Sequence, residues 1–239
     1  MTFFTVYAFV ERKHKKVFSG MFSRNINFNF LYTIIPMIVG TILLNVFFNS
    51  IIPSSEDNSY KEFMMKIAMD KSVIILYMIP IAIIAPITEE LIFRGMILKG
   101  IASNHSAAMA IFLSSFLFSV IHLNWAQIPN AFILGVIFAF IMIHTRNIFY
   151  TIIYHAINNF WVTFMLFFVK PEDLSRTNDV SKGITSPVML VMVAVLGVLF
   201  IYIGLKWTIK TITKEDRAVI PDEHVYNTYL SSLESYDEE

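Results

Sequence analysis

The chain has 239 residues, of which 56% are hydrophobic and 15% are charged, and its mean hydropathy is +0.63. This balance excludes an ordinary soluble domain and predicts a polytopic helical membrane protein. The formal net charge of zero leaves no basic field to attract phosphates, which argues against a nucleic-acid partner, and the absence of cysteine excludes disulfides, thiolate nucleophiles and cysteine-based zinc sites.

The first predicted element is a cytoplasmic N-terminal segment, residues 1–30, whose apolar stretch 3–10 is too short to span a bilayer. Basic residues follow this stretch rather than precede it, which is not typical of a signal peptide. The stretch is expected to be either an interfacial anchor or the end of a further helix that this version of the chain lacks.

Six apolar segments then follow, each close to the roughly 20 residues that a membrane-spanning helix needs. The predicted fold class is therefore all-α, a polytopic transmembrane helical bundle of about six spans within a membrane domain, 31–208. Pro80 and Pro86 predict a kink or a break in the second segment. Very short links join the third, fourth and fifth segments, so these helices are expected to pack as antiparallel neighbours. The predicted segments are 31–52, 72–97, 105–124, 128–145, 147–169 and 187–208.

The placement of Lys and Arg predicts the orientation of the bundle. With six spans both termini share one side, and that side carries more Lys and Arg than the opposite loops, 53–71 and 170–186. The excess puts both termini in the cytoplasm. The polar tail, 209–239, is then expected to be cytoplasmic, and we expect a multi-pass protein of a bacterial-type plasma membrane.

Three short polar motifs interrupt the apolar segments, and the first is TEELIFRG at 88–95. Glu90 and Arg94 are four residues apart, so on a helix they share a face and can form an ion pair. Such a pair can merely stabilise helix packing. Glu89 points about 100° away from Glu90 and is available for another role. One guanidinium neutralises two carboxylates less well than it neutralises one, so the second glutamate favours a functional site. In such a site a desolvated carboxylate can act as a general base.

The second motif is FSVIH, which ends at His122. A single histidine at the end of an apolar helix is often a packed or interfacial residue, as is expected for His105 and His144, which are left out of the site. Phe118 lies one helical turn before His122 and is expected to orient its ring.

The third motif is HAINN, in which His155 and Asn159 share a helix face deep within an apolar segment. A polar pair at this depth can connect two membrane helices by hydrogen bonds. Combined with the other two motifs, it can instead supply hydrogen-bond donors to an oxyanion.

The ordered set EExxxR, FxxxH and HxxxN on successive membrane helices resembles the CPBP family of intramembrane proteases. These proteins are also called Abi or CAAX proteases and are relatives of the Ras-converting CAAX prenyl endopeptidase. The resemblance covers roughly 72–169, a catalytic core of four helices. Each motif is weak alone, whereas the ordered trio is specific, and the Phe-Arg-Gly ending of the first motif adds to it.

The resemblance implies hydrolysis of a peptide bond within the membrane. Glu89 would be the general base that activates water, with help from His122. His155 and Asn159 would stabilise the tetrahedral oxyanion. The residues that would shape the site and hold the base in place are Glu90, Arg94 and Phe118.

The family is often labelled metalloprotease, so zinc is an alternative cofactor, with Glu89, His122 and His155 as its ligands. The sequence has no HExxH motif, and with Glu89 on the metal the base would have to come from elsewhere. Metal-independent glutamate catalysis without a cofactor is therefore preferred.

The expected partners are the lipid bilayer and a membrane-embedded or lipidated peptide or protein. Processing of a prenylated CAAX protein, cleavage of another membrane peptide, and a role in bacteriocin-related self-immunity all stay open. The rival hypothesis is a non-catalytic membrane immunity protein or a proton-coupled carrier that uses the same buried polar residues. A carrier more often shows an internal repeat and broken helices in both halves, and only one break is predicted here, at Pro80–Pro86.

Overall fold

The structure is a computed structural model that describes residues 26–52, 62, 65–67, 69–125, 127–165, 167–168 and 186–212. The predicted N-terminal stretch 3–10, most of the loops 53–71 and 170–186, and the tail beyond Ile212 lie outside the described residues. Within the described part, each of the six predicted segments is helical. The helices are α1 (Phe30–Ile51), α2 (Lys71–Ala102), α3 (Ala107–Val120), α4 (Ile128–Thr145), α5 (Ile148–Met165) and α6 (Pro187–Thr211).

The predicted helical membrane bundle is confirmed. By length and composition, α1, α2, α4 and α6 can each cross a membrane. α3 is apolar but has only 14 residues, a length of about 21 Å against a hydrocarbon thickness of about 30 Å. α5 has 18 residues, and the polar residues of the third motif lower its mean hydropathy. The bundle therefore combines four apolar helices with one short helix and one polar helix.

The two prolines of α2 change its hydrogen-bond register instead of breaking it. Asp70 begins the helix, because its side chain accepts a hydrogen bond from the main-chain N–H of Ser72. A π-helical segment then runs over Pro80–Ile84, α-helix returns over Ala85–Glu90, and a second π-helical segment follows over Leu91–Leu98. Of the predicted kink or break, a break is not present, since the chain stays helical through both prolines. π-helical turns are rare in proteins overall, but those that occur are frequently located at functional sites.

α3 and α5 both end four residues before their predicted ends. Ser106 caps α3 at its start by accepting a hydrogen bond from the N–H of Met109. After Val120 the chain turns, and Leu123 adopts a left-handed conformation with φ of 51°. A left-handed residue cannot continue the helix, so His122 lies in the turn that follows α3.

The packing of the bundle places the first and last helices together, away from the three motifs. α1 packs along α6, and a Cβ added at Gly40 would lie 2.6 Å from the carbonyl oxygen of Gly197. Thr33 and Thr208 share a hydrogen bond of 2.8 Å across the same interface. Small residues allow this close approach between membrane helices. The predicted packing of α3 against α4 and of α4 against α5 is present, and α2 contacts all three of these helices.

Candidate active site

Residues of all three motifs meet where α2, α3, α4 and α5 pack together. α2 supplies Glu89 and Glu90, and α5 supplies His155 and Asn159. The end of α3 supplies Phe118, and the turn after it supplies His122. His155, His122, Glu90 and Arg94 all interact electrostatically with the Glu89 carboxylate.

The predicted ion pair between Glu90 and Arg94 is present and fully buried. Nη1 of Arg94 donates to Oε1 of Glu90 at 2.8 Å, and both side chains are 0% exposed. Nη2 of Arg94 donates to the main-chain oxygen of Gly135 on α4 at 3.0 Å. The guanidinium carbon lies 4.5 Å from the ring centre of Phe118 and 5.1 Å from that of Phe138. Arg94 therefore contacts α3 and α4 as well as its own helix, and its charge is stabilised by a carboxylate and two aromatic faces.

His155 lies between the two glutamates. Its Nδ1 is 3.0 Å from Oε1 of Glu90, and its Nε2 is 3.8 Å from Oε2 of Glu89. The ring stacks on Phe138, with centroids 4.9 Å apart. Because the Glu90 carboxylate accepts hydrogen bonds, this contact assigns a proton to Nδ1 and turns Nε2 toward Glu89.

Glu89 differs from Glu90 in being partly exposed, although each carboxylate has one buried oxygen, Oε2, without a hydrogen-bond partner among the described residues. Its side chain is 25% exposed, whereas that of Glu90 is completely buried. Oε2 of Glu89 is buried and has no hydrogen-bond partner among the described residues. A carboxylate oxygen of this kind is able to accept a proton from a water molecule.

His122 is fixed by the helix that precedes it. Its Nδ1 lies 2.9 Å from the main-chain oxygen of Phe118, one of the last carbonyl groups of α3. The ring also makes an edge contact with the Phe118 ring, with centroids 5.1 Å apart. A carbonyl acceptor places the proton on Nδ1, so Nε2 keeps its lone pair. The contacts agree with the predicted role of Phe118 in orienting the His122 ring.

Asn159 lies one turn beyond His155 on α5 and contacts the first π-helical segment. Its Nδ2 donates to the main-chain oxygen of Ile81 at 3.1 Å, and its Oδ1 accepts from Asn158 at 3.4 Å. The two histidines left out of the site lie elsewhere. His144 contacts the main-chain oxygen of Phe140 on its own helix, and His105 lies in the turn between α2 and α3.

Three contact residues of the site were not predicted from the sequence: Ile81, Gly135 and Phe138. Gly135 had a detectable signal, since it is a lone glycine inside an apolar helical segment. A Cβ at Gly135 would lie 2.9 Å from the Cβ of Ser115, so glycine is needed for the approach of α3 to α4. The same close approach brings the Gly135 carbonyl within reach of Arg94.

The donor chemistry of the alternative zinc set is suitable. Glu89, His122 and His155 offer one carboxylate oxygen and two imidazole nitrogens, which are ordinary zinc ligands. Among the residues that the structure describes, no group of three or more His, Asp or Glu side chains is arranged to hold a metal ion.

Comparison with known proteins matches the part of the chain that carries the three motifs. Residues 71–161 match the family model described as Type II CAAX prenyl endopeptidase Rce1-like. The chain is 34% identical over 122 residues to the membrane-embedded CAAX protease MroQ of Staphylococcus aureus (strain USA300), an alignment that covers 46% of this chain and 49% of the relative. The chain therefore matches about half the length of this relative. No solved structure matches the chain. The residues matched by the family model include every predicted site residue.

Proposed function

We propose that the chain is an intramembrane endopeptidase of the CPBP family, because residues 71–161 match the Type II CAAX prenyl endopeptidase Rce1-like family model and the chain is 34% identical over 122 residues to a membrane-embedded CAAX protease. It hydrolyses a peptide bond of a membrane-associated protein or peptide. The observation that carries the proposal is the Glu89 carboxylate: its Oε2 is buried, has no hydrogen-bond partner among the described residues, and faces Nε2 of His155 at 3.8 Å. A structural ion pair alone would not require this second carboxylate.

In the first step Glu89 removes a proton from water. The O–H bond of water breaks, the proton goes to the Glu89 carboxylate, and the oxygen forms a bond to the carbonyl carbon of the substrate. His122 assists by accepting a hydrogen bond from the same water through its Nε2, whose lone pair is kept by the contact of Nδ1 with the Phe118 carbonyl. In the second step the proton moves to the amide nitrogen, and the C–N bond breaks.

His155 and Asn159 stabilise the negative oxygen of the tetrahedral intermediate. With a proton already on Nδ1, His155 needs a second proton on Nε2 to donate to this oxygen. Its Nε2 lies 3.8 Å from Oε2 of Glu89, the group that takes the proton from water. The Asn159 amide uses one N–H for Ile81 and has a second N–H to donate. Donors held in place before the reaction are the most effective form of such stabilisation.

The buried residues around these groups hold them in position. Glu90 accepts from both Arg94 and His155 through the same oxygen. Phe118 contacts His122, His155 and Arg94.

The substrate class is proposed from the relative. MroQ is named a CAAX protease, so a lipidated protein with a C-terminal CAAX sequence is the first substrate to test, and a bacteriocin-related peptide is the second. The site is proposed to work in a bacterial-type plasma membrane, with both chain termini in the cytoplasm. The rival function is a proton-coupled carrier or a non-catalytic immunity protein, because the same buried carboxylates and histidine could relay protons.

The test is cleavage of a defined membrane peptide by the purified full chain. Glu89→Gln keeps the size of the side chain but removes its ability to take a proton, so activity is expected to fall by about 10²–10⁴-fold. The matched control is Thr88→Val, because Thr88 is the neighbouring residue and its hydroxyl only donates to carbonyl oxygens of its own helix. Full activity in Glu89→Gln would overturn the mechanism. Absence of cleavage together with proton-coupled uptake by vesicles would support the carrier.

A further inference from the structure

The π-helical segment of α2 ends because of Pro86. The main-chain N–H of Ala85 donates to the oxygen of Pro80, five residues earlier, which is the π-helical register. The next bond in this register would run from residue 86 to the oxygen of Ile81. Proline has no N–H, so this bond cannot form. The Ile81 oxygen is thereby deprived of its main-chain donor.

A side chain of another helix takes the place of that donor. Nδ2 of Asn159 on α5 donates to the Ile81 oxygen at 3.1 Å. Unsatisfied main-chain groups are costly inside a membrane, where water is scarce, so a donor at this point stabilises α2 in its π-helical register.

The position of this contact relates it to the candidate base. His155 and Asn159 lie on one face of α5, and they contact α2 at Glu90 and at Ile81 respectively. These two contacts bracket the part of α2 that contains Pro86 and Glu89. One residue of register corresponds to about 100° of rotation around a helix, so loss of the π-helical register would turn Glu89 away from His155.

We propose that Asn159 is a positioning residue, which supplies the hydrogen bond that Pro86 removes and thereby holds Glu89 opposite His155. The inference rests on the proposed function for its catalytic consequence. The positioning role is additional to the proposed stabilisation of the oxyanion by Asn159, because the second N–H of Asn159 is still able to donate to substrate. The two roles separate experimentally, since only the positioning role can be replaced by a main-chain N–H at position 86.

The experiment is a double-mutant cycle of Asn159→Ala and Pro86→Ala in the purified full chain. Asn159→Ala is expected to lower kcat at least tenfold with little change in KM, and to lower the Tm. In the Pro86→Ala background residue 86 has an N–H that can donate to Ile81. There, Asn159→Ala is expected to lower the Tm by less than in the parent chain and to lower kcat by a smaller factor, because only the loss of its proposed contact with the oxyanion remains.

The control background is Pro36→Ala, which changes a buried proline within α1. In this background Asn159→Ala is expected to lower kcat and the Tm as much as it does in the parent chain. An equal loss of kcat and of Tm in the Pro86→Ala background and in the parent chain would overturn the positioning role. If the parent chain cleaves no peptide, the proposed function fails, whereas the Tm cycle still decides whether Asn159 replaces the missing N–H. If Pro86→Ala is itself inactive, the same Tm comparison decides.

Discussion

His155 and Arg94 donate to the same oxygen of Glu90, Oε1, at 3.0 Å and 2.8 Å. Glu90 therefore does more than neutralise Arg94, because it also sets which nitrogen of His155 carries a proton and which nitrogen faces Glu89. The contact joins the first motif to the third through a single atom. Changes to the ion pair are consequently expected to affect the geometry of the site as well as the stability of the bundle.

Arg94→Ala is expected to reduce both the amount of folded protein and the activity. Removing one partner of a buried ion pair typically costs about 3–5 kcal/mol of stability, because the other charge is left without a partner. Thermal unfolding in detergent measures this loss. Lys206→Ala on α6 is the control, since this substitution also removes a positive charge but at an exposed position outside the three motifs. Normal stability of Arg94→Ala would show that the ion pair is not structural.

Phe138→Leu is expected to lower activity more than stability. The substitution removes the aromatic face that contacts both His155 and Arg94 while keeping an apolar side chain of similar size. Aromatic contacts of this kind contribute about 0.5–1.5 kcal/mol beyond burial, which corresponds to roughly a 2- to 13-fold change in rate if the whole contribution acts on the transition state. Cleavage rates and Tm values of Phe138→Leu and of Phe132→Leu give the comparison. Phe132 lies on the same helix but contacts Phe112 instead of the site. Equal effects of the two substitutions would contradict a role for Phe138 in the site.

The proposed catalytic residues are expected to act as a unit. Single substitutions to alanine at His122, His155 and Asn159 should each lower kcat, and combined substitutions should lower it much less than the product of the single effects. Steady-state kinetics of the single, double and triple variants test this expectation. Strictly multiplicative losses would indicate independent contributions, as expected of separate packing defects.

Chelation distinguishes the glutamate mechanism from the zinc alternative. With metal-independent catalysis, phenanthroline is expected to leave the cleavage rate of the wild type unchanged. If Glu89, His122 and His155 hold zinc, phenanthroline should stop cleavage and added zinc should restore it. Metal analysis of the purified protein, compared between the wild type and His122→Ala, provides a readout that does not depend on activity.

Truncation after Lys214 is expected to leave activity largely intact. The removed residues belong to the polar tail, which carries none of the three motifs. Cleavage is measured after membrane insertion of the truncated chain has been verified. A truncated protein that inserts normally but does not cleave would contradict the expectation.

The helical segments and the ion pair between Glu90 and Arg94 were predictable because both depend on local sequence patterns. Apolar runs of sufficient length predicted all six helical segments, and the i, i+4 spacing of Glu90 and Arg94 predicted their ion pair. The contact of His155 with Glu90 was not predictable, because helical spacing specifies a face of one helix and does not specify which face of another helix packs against it. The π-helical register of α2 was missed for a different reason. Pro80 and Pro86 indicate a disturbance of the helix, whereas the form of the disturbance depends on a donor from α5.

The shortness of α3 bears on how water enters a site surrounded by lipid. A helix of about 21 Å ends before the far surface of a hydrocarbon layer of about 30 Å, so the turn that carries His122 begins within the layer. Irregular backbone at that depth requires either burial in protein or contact with water. Leu123 and Trp125 in this turn are largely exposed within the described part of the chain. We therefore expect water to reach His122 through this turn because α3 is short, and we expect a longer α3 to reduce that access.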